Sequence, residues 1–180
     1  MYDLTYNEEN LYNFGGYMDK YIFTKGDFEE SLSIMREAAQ WLIDKGCPLW
    51  NLDELTHEKI KNAADEFVVM WDKNGKSIAT LTLNFEDRFI WSDIKPNSSG
   101  FIHKLSIRRE YAGKGLAKNI IDYAIQECKQ KNITSIRLDC DSQRKSLCDF
   151  YESIGFCFKE VKILHTKRGE FNAALYEMNI

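Results

Sequence analysis

The sequence is short of the features that mark special environments. No apolar run among its 180 residues approaches the ~18 needed for a membrane span, so no membrane role is expected. The opening Met1-Tyr2-Asp3-Leu4-Thr5-Tyr6 lacks the basic start and apolar stretch of a secretory signal, and a cytoplasmic location is the expectation. Histidine is scarce: His57, His103 and His165 are scattered, with no pair at ligand spacing, which argues against a metal site. The five cysteines, Cys47, Cys128, Cys140, Cys148 and Cys157, are odd in number and form no C-x-x-C. A chain of this length needs no disulfide framework, so reduced thiols are expected. Basic excess is missing too. Lys and Arg number 24 against 28 Asp and Glu, a net charge of −4, which excludes a general nucleic-acid binder and leaves room for a local basic patch facing a phosphorylated ligand.

What is present describes a folded globular chain. Apolar residues make up 44%, charged residues 29% and aromatics 13%, too apolar for a disordered protein. Folding at this length removes about 70% of the unfolded surface from water, enough for a core without staples. Residues 1–17, rich in Tyr, Asn, Glu and Gly and without a clean period, read as an extension. It is either a non-native segment, with Met18 as the natural start, or a tail that packs on the domain. Residues 18–180 read as one domain.

Within that domain a strand is expected at 21–24. Asp27 then caps a helix whose Leu32, Met35, Ala39 and Leu42 recur at helical spacing up to Gly46. A second, more polar helix is expected at 53–64. Strands at 66–72 and 77–84 flank Asn74-Gly75, a strong hairpin signal, with Ala79, Leu81 and Leu83 on one face of the return strand. Residues 89–91 read as strand or loop. There follow a strand at 101–107, a helix at 115–131 with Leu116, Ile120, Ala124, Ile125 and Cys128 as its buried stripe, a strand at 135–140 and a helix at 142–154. Strands at 156–161 and 171–178, joined by a turn at 167–169, complete the chain. This order predicts a mixed α/β fold with a mostly antiparallel sheet flanked by helices. The first half lacks the β-α alternation of a doubly wound nucleotide fold.

Two motifs carry chemistry. The strand ending at Ile107 runs through Gly113-Lys114-Gly115 into a helix. Glycines permit positive φ and close backbone approach. The first N–H groups of the helix lack intrahelical partners, and its dipole favours an anion there. The turn therefore reads as a phosphate cradle or as a tight packing turn, with Arg108, Arg109, Lys114 and Lys118 nearby. It is not a P-loop, because Arg108 stands where the first glycine belongs and Gly115 where Ser or Thr belongs. As a dinucleotide fingerprint it carries Lys118 in place of Gly or Ala, with Asp139 placed to suit a ribose. The second motif is Phe150-Tyr151-Glu152-Ser153-Ile154-Gly155-Phe156, a helix stopped by Gly155. On its own Tyr151 reads as a core tyrosine.

In this order, the glycine turn, helix, strand and Phe-Tyr-Glu-x-x-Gly-Phe helix resemble the GCN5-related N-acetyltransferase (GNAT) family, closely from Phe101 to Phe158 and in element order from about Met18 onward. The diphosphate motif of that family, Q/R-x-x-G-x-G/A, reads here Ala112-Gly113-Lys114-Gly115-Leu116-Ala117, so Ala112 replaces its Gln or Arg. Arg144 stands seven residues before Tyr151, where the family commonly has Asn. The stretch Arg137-Leu138-Asp139-Cys140, with Trp41-Leu42 and Leu49-Trp50 upstream, looks like a bacterial, uncharacterised branch.

The resemblance implies a mixed, mostly antiparallel sheet with a splayed parallel strand pair, and acetyl-CoA as co-substrate without a metal. The backbones of Leu105, Ser106 and Ile107 would pair with the pantetheine arm. Ala112, Gly113, Lys114, Gly115, Leu116, Ala117 and Lys118 would hold the diphosphate, and Arg108, Arg144 or Lys145 would reach the 3′-phosphate. A backbone N–H would polarise the thioester carbonyl. Tyr151 takes the general-acid position, and a base or water chain must take the amine's proton. His103 and Asp139, on the strands flanking the gap, are candidate bases; Glu86 and Asp87 are further carboxylates beside the acceptor. Strand alternation sends His103 and Lys104 to opposite faces without deciding which meets the site. Trp50 and Trp91 are candidate walls of the acceptor pocket. The implied activity is acetyl transfer to a primary amine of a small molecule or peptide, with a homodimer through the last strands as the expected assembly. A non-catalytic acyl-CoA-binding sensor or interaction module of the same fold is one alternative, and a dinucleotide or S-adenosylmethionine enzyme the other.

Overall fold

The computed structural model describes residues 20–166 and 169–180; the predicted extension at 1–17, Met18 and positions 167 and 168 of the last turn lie outside them. The elements are β1 (Tyr21–Lys25), α1 (Phe28–Asp44), α2 (His57–Ile60), β2 (Glu66–Asp72), β3 (Ser77–Asn84), β4 (Gly100–Ile107), α3 (Leu116–Gln130), β5 (Ser135–Asp141), α4 (Lys145–Ser153), β6 (Cys157–Thr166) and β7 (Gly169–Asn179). The strands form one seven-stranded sheet in the order β1-β2-β3-β4-β5-β7-β6. The β4–β5 pair is parallel, while β1–β2, β5–β7 and β6–β7 are antiparallel. This is the mixed, mostly antiparallel fold the sequence predicts. No helix among the described residues is long and apolar enough to cross a membrane.

The chain divides into two compact units, residues up to Leu81 with Ser106–Ile120, and Thr82–Leu105 with Ile121–Ile180. In the first, the Asp27 carboxylate accepts from the Glu30 amide at 3.4 Å and starts α1. Leu32, Met35 and Ala39 on its apolar face pack with Leu55, Ile60 and Phe67 into one core. The single helix expected at 53–64 is broken into a 3₁₀ turn at Leu52–Glu54 and the four-residue α2. Local capping and tertiary packing act together. The Asn51 side chain accepts from the Asp53 amide at 2.9 Å, closing an Asx turn, and Leu55 and Thr56 leave helical backbone. The break lets Leu55 and Ile60 both reach the core, and Arg36 satisfies the freed Leu52 and Leu55 carbonyls at 3.1 and 2.6 Å. At the Asn74-Gly75 hairpin, one Asp72 oxygen accepts from the Asn74 and Lys76 amides, both at 2.9 Å. Strand β3 is buried on both faces, beyond the single face expected, because Ile78 and Thr80 are covered as fully as Ala79 and Leu81. The Thr80 hydroxyl is satisfied by the Val68 carbonyl at 2.8 Å.

In the second unit β5 lies between β4 and β7. Its ladder with β7 runs from Ser135–Asn179 to Asp141–Ala173. Gly100 is required for space at the start of β4: a Cβ there would come within 2.4 Å of the Cys128 sulfur. Residues 85–99 form a loop, which settles 89–91 as loop. Its neck is closed by the Asn97 amide donating to the Phe85 carbonyl at 2.7 Å. Trp91 from this loop joins Phe101, Leu164, Ala173 and Leu175 in a core cluster, and Lys162 donates to the Ile90 carbonyl at 2.7 Å. The helix expected from 142 begins later, at Lys145, because the Asp141 carboxylate accepts from the Gln143 amide at 2.9 Å and holds a turn there.

Candidate active site

In the first unit, the path from β4 to α3 is pinned before the glycines begin. The Arg109 amide donates to Glu37 at 2.8 Å, and its guanidinium stacks 3.6 Å from the centre of the Trp41 ring. Tyr111 donates its hydroxyl to Asp72 at 3.2 Å, and Lys76 pairs with Glu110 at 2.6 Å. Beyond this anchor Gly113 and Gly115 have φ of +74° and +73°, the left-handed region, and a Cβ at either would meet nothing within 4 Å. These glycines answer a conformational need, not a packing one, and the space beside them is open to a ligand. Helix α3 begins immediately afterward, at Leu116. Lys114 lies 5.0 Å from the Tyr111 ring centre. The local chemistry is that of an anion cradle, built from backbone amides at a helix start with lysine beside it.

In the second unit, the parallel ladder pairs Gly100, Phe101 and Ile102 with Ile136, Arg137 and Leu138 and then stops, although β4 runs to Ile107 and β5 to Asp141. Just past its end Lys104 takes a φ of +51°. His103 and Lys104 both act on Asp139, the first at 3.6 Å and the second through its charge. Burial drives the Lys104 ammonium toward its neutral form, and Asp139 opposes it.

His103 has a carboxylate at each ring nitrogen, Asp87 at 3.3 Å from Nε2 and Asp139 at 3.6 Å from Nδ1. Burial works against the charged ring, but the two carboxylates outweigh it and raise its pKa to about 9. The side chain of Asp87 is 8% exposed. Its Oδ1 accepts from the Phe89 and Ile90 amides at 3.0 and 2.9 Å. Burial works to raise the Asp87 carboxyl, yet the His103 contact and these amides hold it below the usual carboxylate range.

Tyr151 is buried on α4, with ring centres of Phe150, Phe156 and Tyr176 at 5.4, 5.9 and 6.0 Å. Burial, then the neighbouring Cys140, Asp139 and Cys148, push its phenol well above the usual range, so it stays protonated at any physiological pH. Cys140 and Cys148 sit 3.7 Å apart beside it. Burial pushes the Cys140 thiol far up, which removes it as a nucleophile.

Several expected site residues are used elsewhere. The Arg108 guanidinium is held by Glu30 and Glu37 of α1 and by Ser77 at 3.0 Å, so its charge is neutralised inside the first unit rather than offered to a phosphate. Trp50 is half-buried against the first core, and Trp91 is 5% exposed within the second, so Trp91 is not a free wall. Glu86 pairs with Arg88. Arg144 lies 3.7 Å from Asp141, and the exposed Lys145 pairs with Asp149 at 2.8 Å. Sequence reasoning missed the Lys104 kink and the Asp87–His103–Asp139 linkage. Neither has a local signal: a non-glycine residue gives no warning of positive φ, and the three linked residues come from separate segments.

The glycine turn leading into α3, the parallel pair that stops after three rungs and the buried Tyr151 of α4 are the features on which the resemblance to the GNAT family rests. The sequence pattern of the acetyltransferase (GNAT) family matches residues 35–156, and the chain belongs to that family. It is 27% identical over 139 residues to the uncharacterized N-acetyltransferase YesJ of Bacillus subtilis, covering 73% of this chain and 77% of that one. Among solved structures it is similar to a GNAT-family acetyltransferase from Listeria monocytogenes, with a TM-score of 0.64 and 18% identity, covering 88% of this chain and 95% of that one. A GNAT-family acetyltransferase from Elizabethkingia anophelis with acetyl-CoA bound has a TM-score of 0.54 at 14% identity, covering 69% and 84%.

Proposed function

We propose that the protein is an acetyl-CoA-dependent N-acetyltransferase that moves an acetyl group directly to a primary amine of a small molecule or peptide. The observation that carries this reading is the turn at Gly113 and Gly115, whose left-handed backbone and open surroundings fit a diphosphate at the start of α3. In this reading the backbone amides of 112–118 hold the diphosphate, with Lys114 and Lys118 adding charge. The main chain of Leu105, Ser106 and Ile107 takes the pantetheine amides, and Arg144 or Lys145 faces the 3′-phosphate. Arg108 has no part in it.

The thioester supplies an activated acetyl group, and the residues of the chain manage the protons. The acceptor arrives largely as an ammonium and must lose a proton before its nitrogen lone pair can attack the carbonyl carbon. Asp139, or a water it holds, takes that proton. As the C–N bond forms and the C–S bond breaks, the Tyr151 hydroxyl donates to the departing sulfur, and the second proton shed by the acylated nitrogen returns through water to the phenol. The carboxylate of Asp139 favours a cationic acceptor, whereas the buried Asp87 is taken up by His103. The protein works in the cytoplasm in this reading, and a homodimer through the last strands is retained as part of it.

The test is release of free thiol from acetyl-CoA against a panel of primary amines, run with the unmodified protein and Tyr151→Phe. Turnover with one amine class, and a kcat lowered about 10²-fold or more in the variant at unchanged CoA affinity, is expected. Binding without transfer to any amine would make the protein an acyl-CoA-binding module. Stabilisation by NAD or S-adenosylmethionine but not by CoA in thermal unfolding would overturn both readings.

A further inference from the structure

The backbone ladder between β4 and β5 ends at Ile102–Leu138, and the next residue on each strand continues the link by side chain, His103 Nδ1 to Asp139 Oδ1. From the loop after β3, Asp87 meets the other ring nitrogen. The ring therefore bridges three segments where the parallel strands part. Two carboxylates within 4 Å of the ring favour its charged form. A neutral imidazole has one N–H and one lone pair, so either tautomer would point a lone pair at a carboxylate. Only the doubly protonated ring faces both with hydrogen. Asp87 Oδ2 reinforces this, because it is buried without a well-directed hydrogen bond, and the ring is the counter-charge beside it. In that charged form the ring has no lone pair with which to accept a proton.

We propose that His103 is a positioning residue and not a base: clamped between Asp87 and Asp139, it is a charged strut that sets the spacing of β4 and β5 at the mouth of the gap entered by the acyl arm. The proposal rests on the acyltransfer reading above and deepens it. The charged groups facing the ring are Asp87 from the loop and Asp139 from β5, with Lys104 of the same strand acting on Asp139. Losing the ring's proton would leave two carboxylates beside a neutral bridge. A base and a strut thus predict opposite pH behaviour. A base gains activity as it loses its proton. A strut keeps KM for acetyl-CoA low across neutral pH and lets it rise as pH passes through about 9.

The experiment is an NMR titration of the histidine imidazoles in the full chain, with His103→Gln assigning the resonance and Asp87→Asn as the second variant, alongside steady-state kinetics with acetyl-CoA. The strut requires a midpoint well above 6.5 in the unmodified protein and a lower one in Asp87→Asn. It also requires KM for acetyl-CoA to rise about tenfold in either variant, with kcat within about threefold. A midpoint near 6.5, or a kcat lowered about 10²-fold in His103→Gln at unchanged KM, overturns the proposal and restores His103 as a base. If His103→Gln does not fold, Asp87→Asn carries both readouts. Absence of acetyl-CoA binding by the unmodified protein overturns the acyltransfer reading instead. The two failures are told apart because the titration reports the clamped ring without any substrate.

Discussion

Substituting Gly115 separates a conformational requirement from a packing one. An L-residue at φ +73° carries a penalty of roughly 1–2 kcal/mol, and the empty surroundings of the missing Cβ mean that side-chain volume adds nothing. Asn tolerates this backbone better than Ala, and a β-branched residue tolerates it worst. The strain has two outlets. If the turn keeps its shape, stability falls by about 1–2 kcal/mol, or about 2–8 °C in melting temperature for a chain of this size. If the turn relaxes to negative φ, its amides swing away from the anion position, and the same energy appears as a roughly 5–30-fold loss of CoA affinity. The assay is isothermal titration with CoA beside thermal unfolding for Gly115→Asn, Gly115→Ala and Gly115→Val. The summed penalty should increase in that order, with Asn close to the parent. The reasoning is refuted if Ala and Val change neither quantity, or if Asn is as damaging as Val.

Three further outcomes follow from the same structure. Because the His103 pKa is raised to about 9 from an ordinary 6.5, its stabilisation is complete below pH 6.5 and is lost as pH rises through 9; unfolding in urea should show about 3 kcal/mol less stability at pH 10 than at pH 6.5, a difference much reduced in Asp87→Asn. Arg108→Met should destabilise the fold by about 2–3 kcal/mol, since it leaves Glu30 and Glu37 without their cation, while CoA affinity stays within about twofold; a selective loss of affinity would return Arg108 to the phosphate site. Thiol titration of the native protein should modify the exposed Cys47 and Cys157 quickly and the buried Cys128 and Cys140 only after denaturation.

Most strand boundaries were readable because alternation and the Asn74-Gly75 turn are local signals: β2 and β3 begin and end where the pattern places them. The glycine turn was readable for a similar reason, since positive φ and helix entry are properties of a few consecutive residues. What escaped depends on distant partners. The carboxylates that consume Arg108 lie 71 and 78 residues away in the chain. The indole of Trp91 looks the same in sequence whether it lines a pocket or fills a core, and packing put it in a core. The polar helix expected at 53–64 had acceptable propensity throughout, but two apolar side chains five residues apart drew the backbone out of register. Residue choice at a site is thus legible where backbone geometry dictates it and opaque where tertiary neighbours decide between equivalent uses.

The loop between β3 and β4 behaves as a self-contained cassette. Its ends are tied to each other through Asn97 and Phe85, and its indole anchor docks on the strands beneath. Sequence drift along its rim, short of Asp87 and Trp91, therefore leaves the strand register alone. Side-chain variety can accumulate there without disturbing the strands that carry His103 and Asp139.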